Sequence, residues 1–280
     1  MDSIIDFGFP LPASYTLERT NESIFAEASI NPSNKLHITA GIRYDKTDDL
    51  SVTTNRLISR YQLNENTILS MQYSEGFKLP SFFALGHPFV GNSALKPEES
   101  ENYELSIESQ FYNNNLTSRV SIYQNTFKNL VDFDPIAFTN INRAKVRAKG
   151  SEIYLSYNAS PKLIISGQVT YNKMDTFEAK TVLRRRPKWK GSLQASYKPT
   201  TAVSLSARFT ANSNFYDSSV PTGMIEMDSY NRLDFSAVWS AQDNLSVRLN
   251  ASNAFNSDHE EAVGFDNSGA SLTASIAKHF

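Results

Sequence analysis

From Val203 to Asn212 the chain alternates without a break: Val203, Leu205, Ala207, Phe209 and Ala211 are apolar, and Ser204, Ser206, Arg208, Thr210 and Asn212 between them are polar. A period of two puts successive side chains on opposite faces of a β-strand, one face oily and the other wet. Leu245, Val247, Leu249 and Ala251 repeat the pattern against Ser246, Arg248 and Asn250, and the last nine residues, Leu272 to Phe280, repeat it again. Strands of soluble sheets usually run to about five or six residues, whereas a strand crossing a bilayer needs about nine to eleven. These runs have the longer length.

Composition narrows the classes further. The chain has 280 residues, a formal net charge of −2 and no long cluster of Lys and Arg, so a nucleic-acid partner is not expected. Cysteine is absent, which removes disulfides and thiolate metal sites. No stretch of about 18 apolar residues exists, and a helical membrane span is excluded. A transmembrane barrel stays open, because lumen-facing polar residues dilute the lipid-facing ones; the mean hydropathy of −0.39 does not argue against it. No secretory leader is read at the N-terminus, where Met1 to Asp6 lacks a basic segment followed by an apolar one.

Short turn clusters punctuate the chain at Asn31–Asn34, Asn64–Asn66, Asn113–Asn115, Asn158–Pro161, Pro199–Thr201 and Gln242–Asn244. Between them lie longer polar stretches at 45–55, 77–101, 132–147, 173–187, 213–230 and 256–269. Short turns at one rim and long loops at the other are the asymmetry of an outer-membrane barrel. Thirteen strands are predicted, at 23–30, 35–45, 56–63, 67–76, 102–112, 116–131, 148–157, 162–172, 187–198, 202–213, 230–240, 244–255 and 270–280. Trp189 and Tyr197 flank Leu193 and Ala195 on one face, and Tyr103 and Phe111 flank Leu105 and Ile107. Eight residues tilted by roughly 40° rise about 20 Å, the separation of two aromatic girdles. An odd strand number leaves a single-chain antiparallel barrel unclosed, so part of a larger barrel is expected.

Several segments then resemble one family. Gly91-Asn92-Ser93-Ala94-Leu95-Lys96-Pro97-Glu98-Glu99-Ser100-Glu101-Asn102-Tyr103-Glu104 resembles the NPxLKPExSxxYE segment of TonB-dependent outer-membrane receptors, with serine in place of the usual proline at 93. Gly41-Ile42-Arg43-Tyr44-Asp45 is similar to GxRYD, Ser74 to Ser81 to the GFKxPS stretch, Asn142 to Glu152 to NxxkaxxxGxE, and Asn250 to Asn256 to the penultimate strand's NLFD. Phe280 matches the terminal aromatic that the family presents for barrel assembly. The resemblance implies an all-β, antiparallel transmembrane barrel of about 22 strands with a plug in its lumen. Residues 1–280 would be its C-terminal thirteen strands, a partial barrel domain without plug, TonB box or signal peptide. The short loops and Val182 to Pro187 resemble the cobalamin and siderophore receptors.

The implied work is TonB-dependent uptake of an iron-siderophore or cobalamin in the bacterial outer membrane, without catalysis and without a cofactor. The implied partners are the TonB complex, outer-membrane lipid, the barrel assembly machinery and the ligand. Ligand capture is expected in the segments 77–101 and 174–186, with Phe77, Lys78, Phe82, Phe83, Arg184 and Arg186 as candidate contacts. Strand parity places Arg184 and Arg186 with Lys188 and Lys190, facing the lumen, where cations suit a phosphate- or carboxylate-bearing ligand; pairing with plug or loop carboxylates, or with lipopolysaccharide, is the plainer alternative. His37, His87, His259 and His279 are scattered without metal-ligand spacing, and Asp45, Asp48 and Asp49 lack the order of a calcium loop. Two rival architectures are a soluble carbohydrate-binding sandwich and a passive barrel of about 12 or 14 strands.

Overall fold

The computed structural model describes residues 2–5, 13–48, 50–134, 136–177, 183–219, 221–242 and 244–278. After a separate hairpin of β1 (Asp2–Ile5) and β2 (Ala13–Thr16), the chain runs through β3 (Asn21–Ser33), β4 (Leu36–Thr47), β5 (Leu50–Asn64) and β6 (Thr67–Lys78). One helical turn, α1 (Phe82–Gly86), precedes β7 (Glu98–Phe111), β8 (Leu116–Asp134), β9 (Thr139–Ser160), β10 (Leu163–Thr176), β11 (Trp189–Thr200) and β12 (Val203–Asn212). The remaining elements are a hairpin of β13 (Phe215–Ser219) and β14 (Gly223–Met227), then β15 (Tyr230–Gln242) and β16 (Leu245–Ser252), a hairpin of β17 (Glu260–Ala262) and β18 (Phe265–Asp266), and β19 (Ser271–Lys278).

Thirteen of these strands form one antiparallel sheet in the order β3 to β12, β15, β16, β19. The thirteen predicted strands are these thirteen. Neighbours in the sheet follow each other along the chain except where a small hairpin intervenes, so each strand is joined to the next by an up-and-down connection. Among the described residues β3 and β19 each have one neighbour and do not pair with each other. The sheet is therefore open at both edges, and every residue of β3 and of β19 is exposed.

Register decides what each face presents. Directly opposed residues point the same way, and Tyr73, Tyr103 and Gln124 lie in one row, with Met71, Leu105 and Ile122 in the next and Leu69, Ile107 and Val120 below it. The oily rows continue through Ile153 and Val169, through Leu155, Gly167, Leu193 and Phe209, and through Ala237, Leu249 and Ala274. The other face carries Arg60, Ser70, Ser106, Arg119, Gln168, Gln194, Arg208 and Asn250. An apolar residue left facing water on so many adjacent strands has no packing partner in the sheet. Leu193 is 54% exposed, Trp239 54% and Ile122 54%; such a belt belongs against lipid tails, with the polar face inside.

Aromatic rings edge the belt. At the short-turn end stand Tyr61, Phe111, Tyr157, Tyr197 and Trp239; at the other stand Tyr44, Tyr73, Tyr103, Tyr171 and Trp189. Tyr73 packs on Tyr103 at 4.9 Å and Tyr171 on Trp189 at 4.7 Å between centroids.

The long-loop side departs from the sequence expectation in four stretches. The stretch 45–55 is no loop: β4 and β5 pair up to Thr47 and Leu50 in a tight hairpin, because its polar residues lie on strands that continue beyond the belt. The stretch 132–147 is likewise mostly strand, with β8 and β9 paired out to Asp134 and Thr139. Within 213–230 and 256–269 the chain folds into the two small hairpins instead of irregular loop. Polarity marked the end of the bilayer there, and the strands run past it. Phe280 and His279 lie outside the described residues.

Candidate ligand vestibule

The motif residues mostly anchor loops. Asn92 accepts the Ala94 N–H at 3.0 Å and donates to the Asn140 carbonyl at 2.9 Å. Asn142 accepts the Lys96 N–H at 2.8 Å and returns a bond to the Lys96 carbonyl at 3.0 Å. The segment between α1 and β7 is thus stitched to the top of β9. Glu98 accepts from the Val131 N–H at 2.9 Å and pairs with Lys78 at 3.3 Å. Arg43 and Asp45, two apart on β4 and so on one face, form a two-pronged ion pair whose shortest bond is 2.7 Å, while Tyr44 between them faces outward. Asn253, with a φ of 50°, closes the turn after β16 by exchanging bonds with Ser257 at 2.9 Å each way.

The six candidate contact residues divide. Ser81 caps α1 by accepting the Ala84 N–H, which fixes Phe82 and Phe83 at the start of the turn. Phe82 lies under the Arg19 guanidinium at 4.9 Å, and Arg19 donates to the Pro80 carbonyl. Phe83 is half exposed and packs on His87 at 4.6 Å. Lys78 has lumen-side parity, whereas Phe77, opposite Glu99, has the parity of Tyr73 and Tyr103, the outward one.

Arg184 and Arg186 are not on a strand, since β11 begins at Trp189, so strand parity does not orient them. Arg184 reaches Asp132 at 3.5 Å, and Asp132 also holds Arg143 at 2.8 Å. Arg186 bonds the Arg185 carbonyl. The arginine between them is the one that sequence reasoning passed over. Arg185 bonds the fully buried Asp217 on β13 at 3.0 Å, and the same oxygen takes the Val263 N–H at 3.0 Å. One carboxylate thus joins the segments 183–188, 213–230 and 256–269. Burial works against its charge, but the N–H groups of Val263 and Ser218 and the Arg185 guanidinium outweigh that and hold its carboxyl below the ordinary value. An isolated Asp in a polar stretch gave no signal for this role.

Farther down, the polar face forms a groove of about 370 Å³ lined by His37, Thr39, Arg60, Gln72, Glu104, Glu108 and Arg119, with Arg119 bonded to Glu104 at 3.2 Å. The described histidines are all engaged: His37 with Asn31, His87 with the N–H groups of Phe89 and Val90, and His259 stacked on Tyr230 at 4.0 Å.

A polar-lined, lipid-belted sheet of tilted strands with anchored loops at one rim has counterparts. The profile of the TonB dependent receptor-like β-barrel family matches residues 2–254. The chain belongs to the TonB-dependent receptor β-barrel family. It is 27% identical over 256 residues to the vitamin B12 transporter BtuB of Photobacterium profundum, a match covering 86% of this chain and 40% of that protein. Among solved structures, the ferric-catecholate import receptor Fiu of K12 E. coli superposes with a TM-score of 0.77 at 18% identity, covering 96% of this chain and 45% of Fiu. A mutant ferric enterobactin receptor of Pseudomonas aeruginosa in complex with enterobactin gives 0.78 at 17% identity, covering 95% and 46%. The chain thus spans less than half the length of these relatives. The TonB-dependent family is one of receptors and transporters of the bacterial outer membrane, and that membrane is where this barrel segment belongs.

Proposed function

We propose that the thirteen strands are the C-terminal part of a TonB-dependent receptor whose whole form imports an iron-siderophore or cobalamin, and that the chain's own part in this is structural and selective, with no catalysis. The observation that carries it is the combination of an outward apolar belt with a polar inner face and a rim of stitched loops, in a family match that reaches almost end to end. The relatives named for vitamin B12 and for ferric catecholates support both ligand classes equally. The TonB complex acts through segments outside these strands; lipid and the assembly machinery meet the belt and the terminal strand, where Phe280 is the assembly signal. A sandwich would bury its apolar faces against each other, and among the described residues nothing packs against this belt. A passive barrel of about 12 or 14 strands would pair its first and last strands, and β3 does not pair with β19.

The vestibule residues proposed to meet ligand are Arg184, Arg186, Lys78, Phe82 and Phe83; Phe77 joins them only where the strand end lets it turn inward. In the whole receptor, Arg184→Ala is expected to weaken ligand binding about tenfold, the worth of one charge-assisted hydrogen bond. Binding of a ferric siderophore panel and of cobalamin, measured on the wild-type and variant receptors, tests both statements. Unchanged affinity removes Arg184 from the site, and failure of every ligand of both classes removes the import reading.

A further inference from the structure

Above the aromatic edge at the long-loop side, the outward face is acidic on β6 and β7, with Glu75, Glu99 and Glu101, and turns cationic on β9 and β10. On β9, Lys149, Arg147 and Lys145 occupy successive alternate positions, on the same face as Ile153 and Leu155. On β10, Lys173 is the register partner of Lys149 and stands two residues above Tyr171 of the aromatic edge. Each two-residue step on a strand tilted by about 40° rises about 5 Å, so these cations lie about 5 to 15 Å above the rings. Lipid headgroups begin at that depth.

The patch is only partly neutralised from within. On this face Glu101 is taken by Lys128 at 2.8 Å, and Asp175, the register partner of Arg147, lies 3.6 Å from Lys173, which leaves four cations on β9 and β10 against one carboxylate. Lys145, Arg147 and Lys149 have no carboxylate partner among the described residues. Lys145 and Arg147 both lie over the exposed ring of Phe177, at 5.0 and 4.7 Å, so two like charges are held side by side on one aromatic platform. The Arg147 Nε is buried without a hydrogen-bond partner. Like charges gathered at headgroup depth suit an anion with several oxygens.

We propose that Lys145, Arg147 and Lys149, with Lys173 and the Phe177 ring, bind the phosphate groups of a phosphorylated lipid of the outer leaflet. Arg147 supplies a fork of donors, the lysines supply point charges along the strand, and the belt below takes the acyl chains. The inference rests on the reading that the long-loop rim faces the outer leaflet.

The test uses the full receptor purified in detergent and titrated by native mass spectrometry with bis-phosphorylated lipid A, with dephosphorylated lipid A and with inorganic phosphate. K145Q/R147Q/K149Q is expected to bind bis-phosphorylated lipid A on the order of a hundredfold more weakly, about a factor of five per cation near a charged lipid surface. R208Q, on the inner face, is expected to bind as the wild type does. Heat-modifiable migration reports whether the triple variant folds; if it does not, the exposed, unbonded Lys149→Gln alone is expected to show about a fivefold loss. Equal binding of the dephosphorylated lipid, unchanged binding by the folded variants, or displacement by inorganic phosphate at the lipid's concentration overturns the proposal. Orientation is checked separately in the whole receptor, with any cysteine outside these 280 residues replaced by serine: an impermeant maleimide on intact cells labels Phe265→Cys and spares Lys35→Cys, and the reverse pattern sinks the orientation instead of the lipid site.

Discussion

Asp217 has no exposed side-chain surface, yet it keeps its charge, and the reason is local. The Val263 N–H and the Arg185 guanidinium both bond its Oδ2, the Ser218 N–H also favours the charged form, and together these exceed the penalty of burial. A carboxyl held below its unfolded value, about 3.9, adds stability that is fully present above that value and is lost as pH falls through the lower folded one. The joint between segments 183–188, 213–230 and 256–269 is therefore expected to hold at neutral pH and to loosen below about pH 4. Hydrogen exchange of 256–269 checks this. Protection should fall between pH 5 and pH 3 in the wild type, whereas Asp217→Asn should be loosened already at pH 5; equal protection in both chains at pH 5 would remove the carboxylate from the joint. At this scale the sequence was partly misleading. A run of three arginines invites reading by strand parity, which selected Arg184 and Arg186, but the run precedes the strand. The middle residue, Arg185, has a φ of 56° and turns toward β13, and no periodicity reports that.

β8, β9 and β10 show how whole strands interlock. Gly150 of β9 lies where an added Cβ would run into the Tyr123 ring of β8 and the Tyr171 carbonyl of β10. The missing side chain lets the Tyr123 ring lie across the strand, and both neighbours depend on that space. Gly150→Ala is expected to destabilise the folded barrel by about 1–3 kcal/mol, the usual effect of forcing bulk into a filled position. Urea unfolding of the whole receptor, followed by heat-modifiable migration, measures it. Tyr123→Ala should restore part of the loss when combined with Gly150→Ala, since the ring is one of the two obstacles; simple additivity of the two losses would rule out the ring as the cause. Element existence was legible in the sequence because a two-residue period over ten positions admits one structure. Element length was less so, since polar residues beyond the bilayer look like loop when only the oily face is followed, as at Thr47 and Leu50 or at Asp134 and Thr139. The segments that carry the motif resemblance contain Asn92, Asn142, Gly150 and Asn253. Their roles as loop staples, a ring's resting place and a turn closure needed coordinates, because each is defined by a partner far along the chain.

The whole sheet carries an unsolved problem at its two edges. β3 and β19 each present a row of unpaired N–H and C=O groups, and the belt beside them is apolar. In water such edges pair with whatever strand is offered, and in hydrocarbon each unpaired group costs several kcal/mol. The usual blunting devices are sparse: β3 carries Glu22 and Glu27, with Pro32 only at its turn end, and β19 has a single lysine, Lys278, as its last described residue. These edges therefore require more strands, about nine if the closed form has about 22. The 280-residue chain refolded alone into lipid vesicles is expected to show β-rich circular dichroism but no heat-modifiable band, because unclosed strands unfold at the edges without a cooperative barrier. Refolded together with the preceding strands of the same receptor, even as a separate chain, it should acquire the band. The outcome that would break this argument is a compact, heat-sensitive band from the chain alone, for it would mean that β3 and β19 reach one another and that thirteen strands close with a parallel seam.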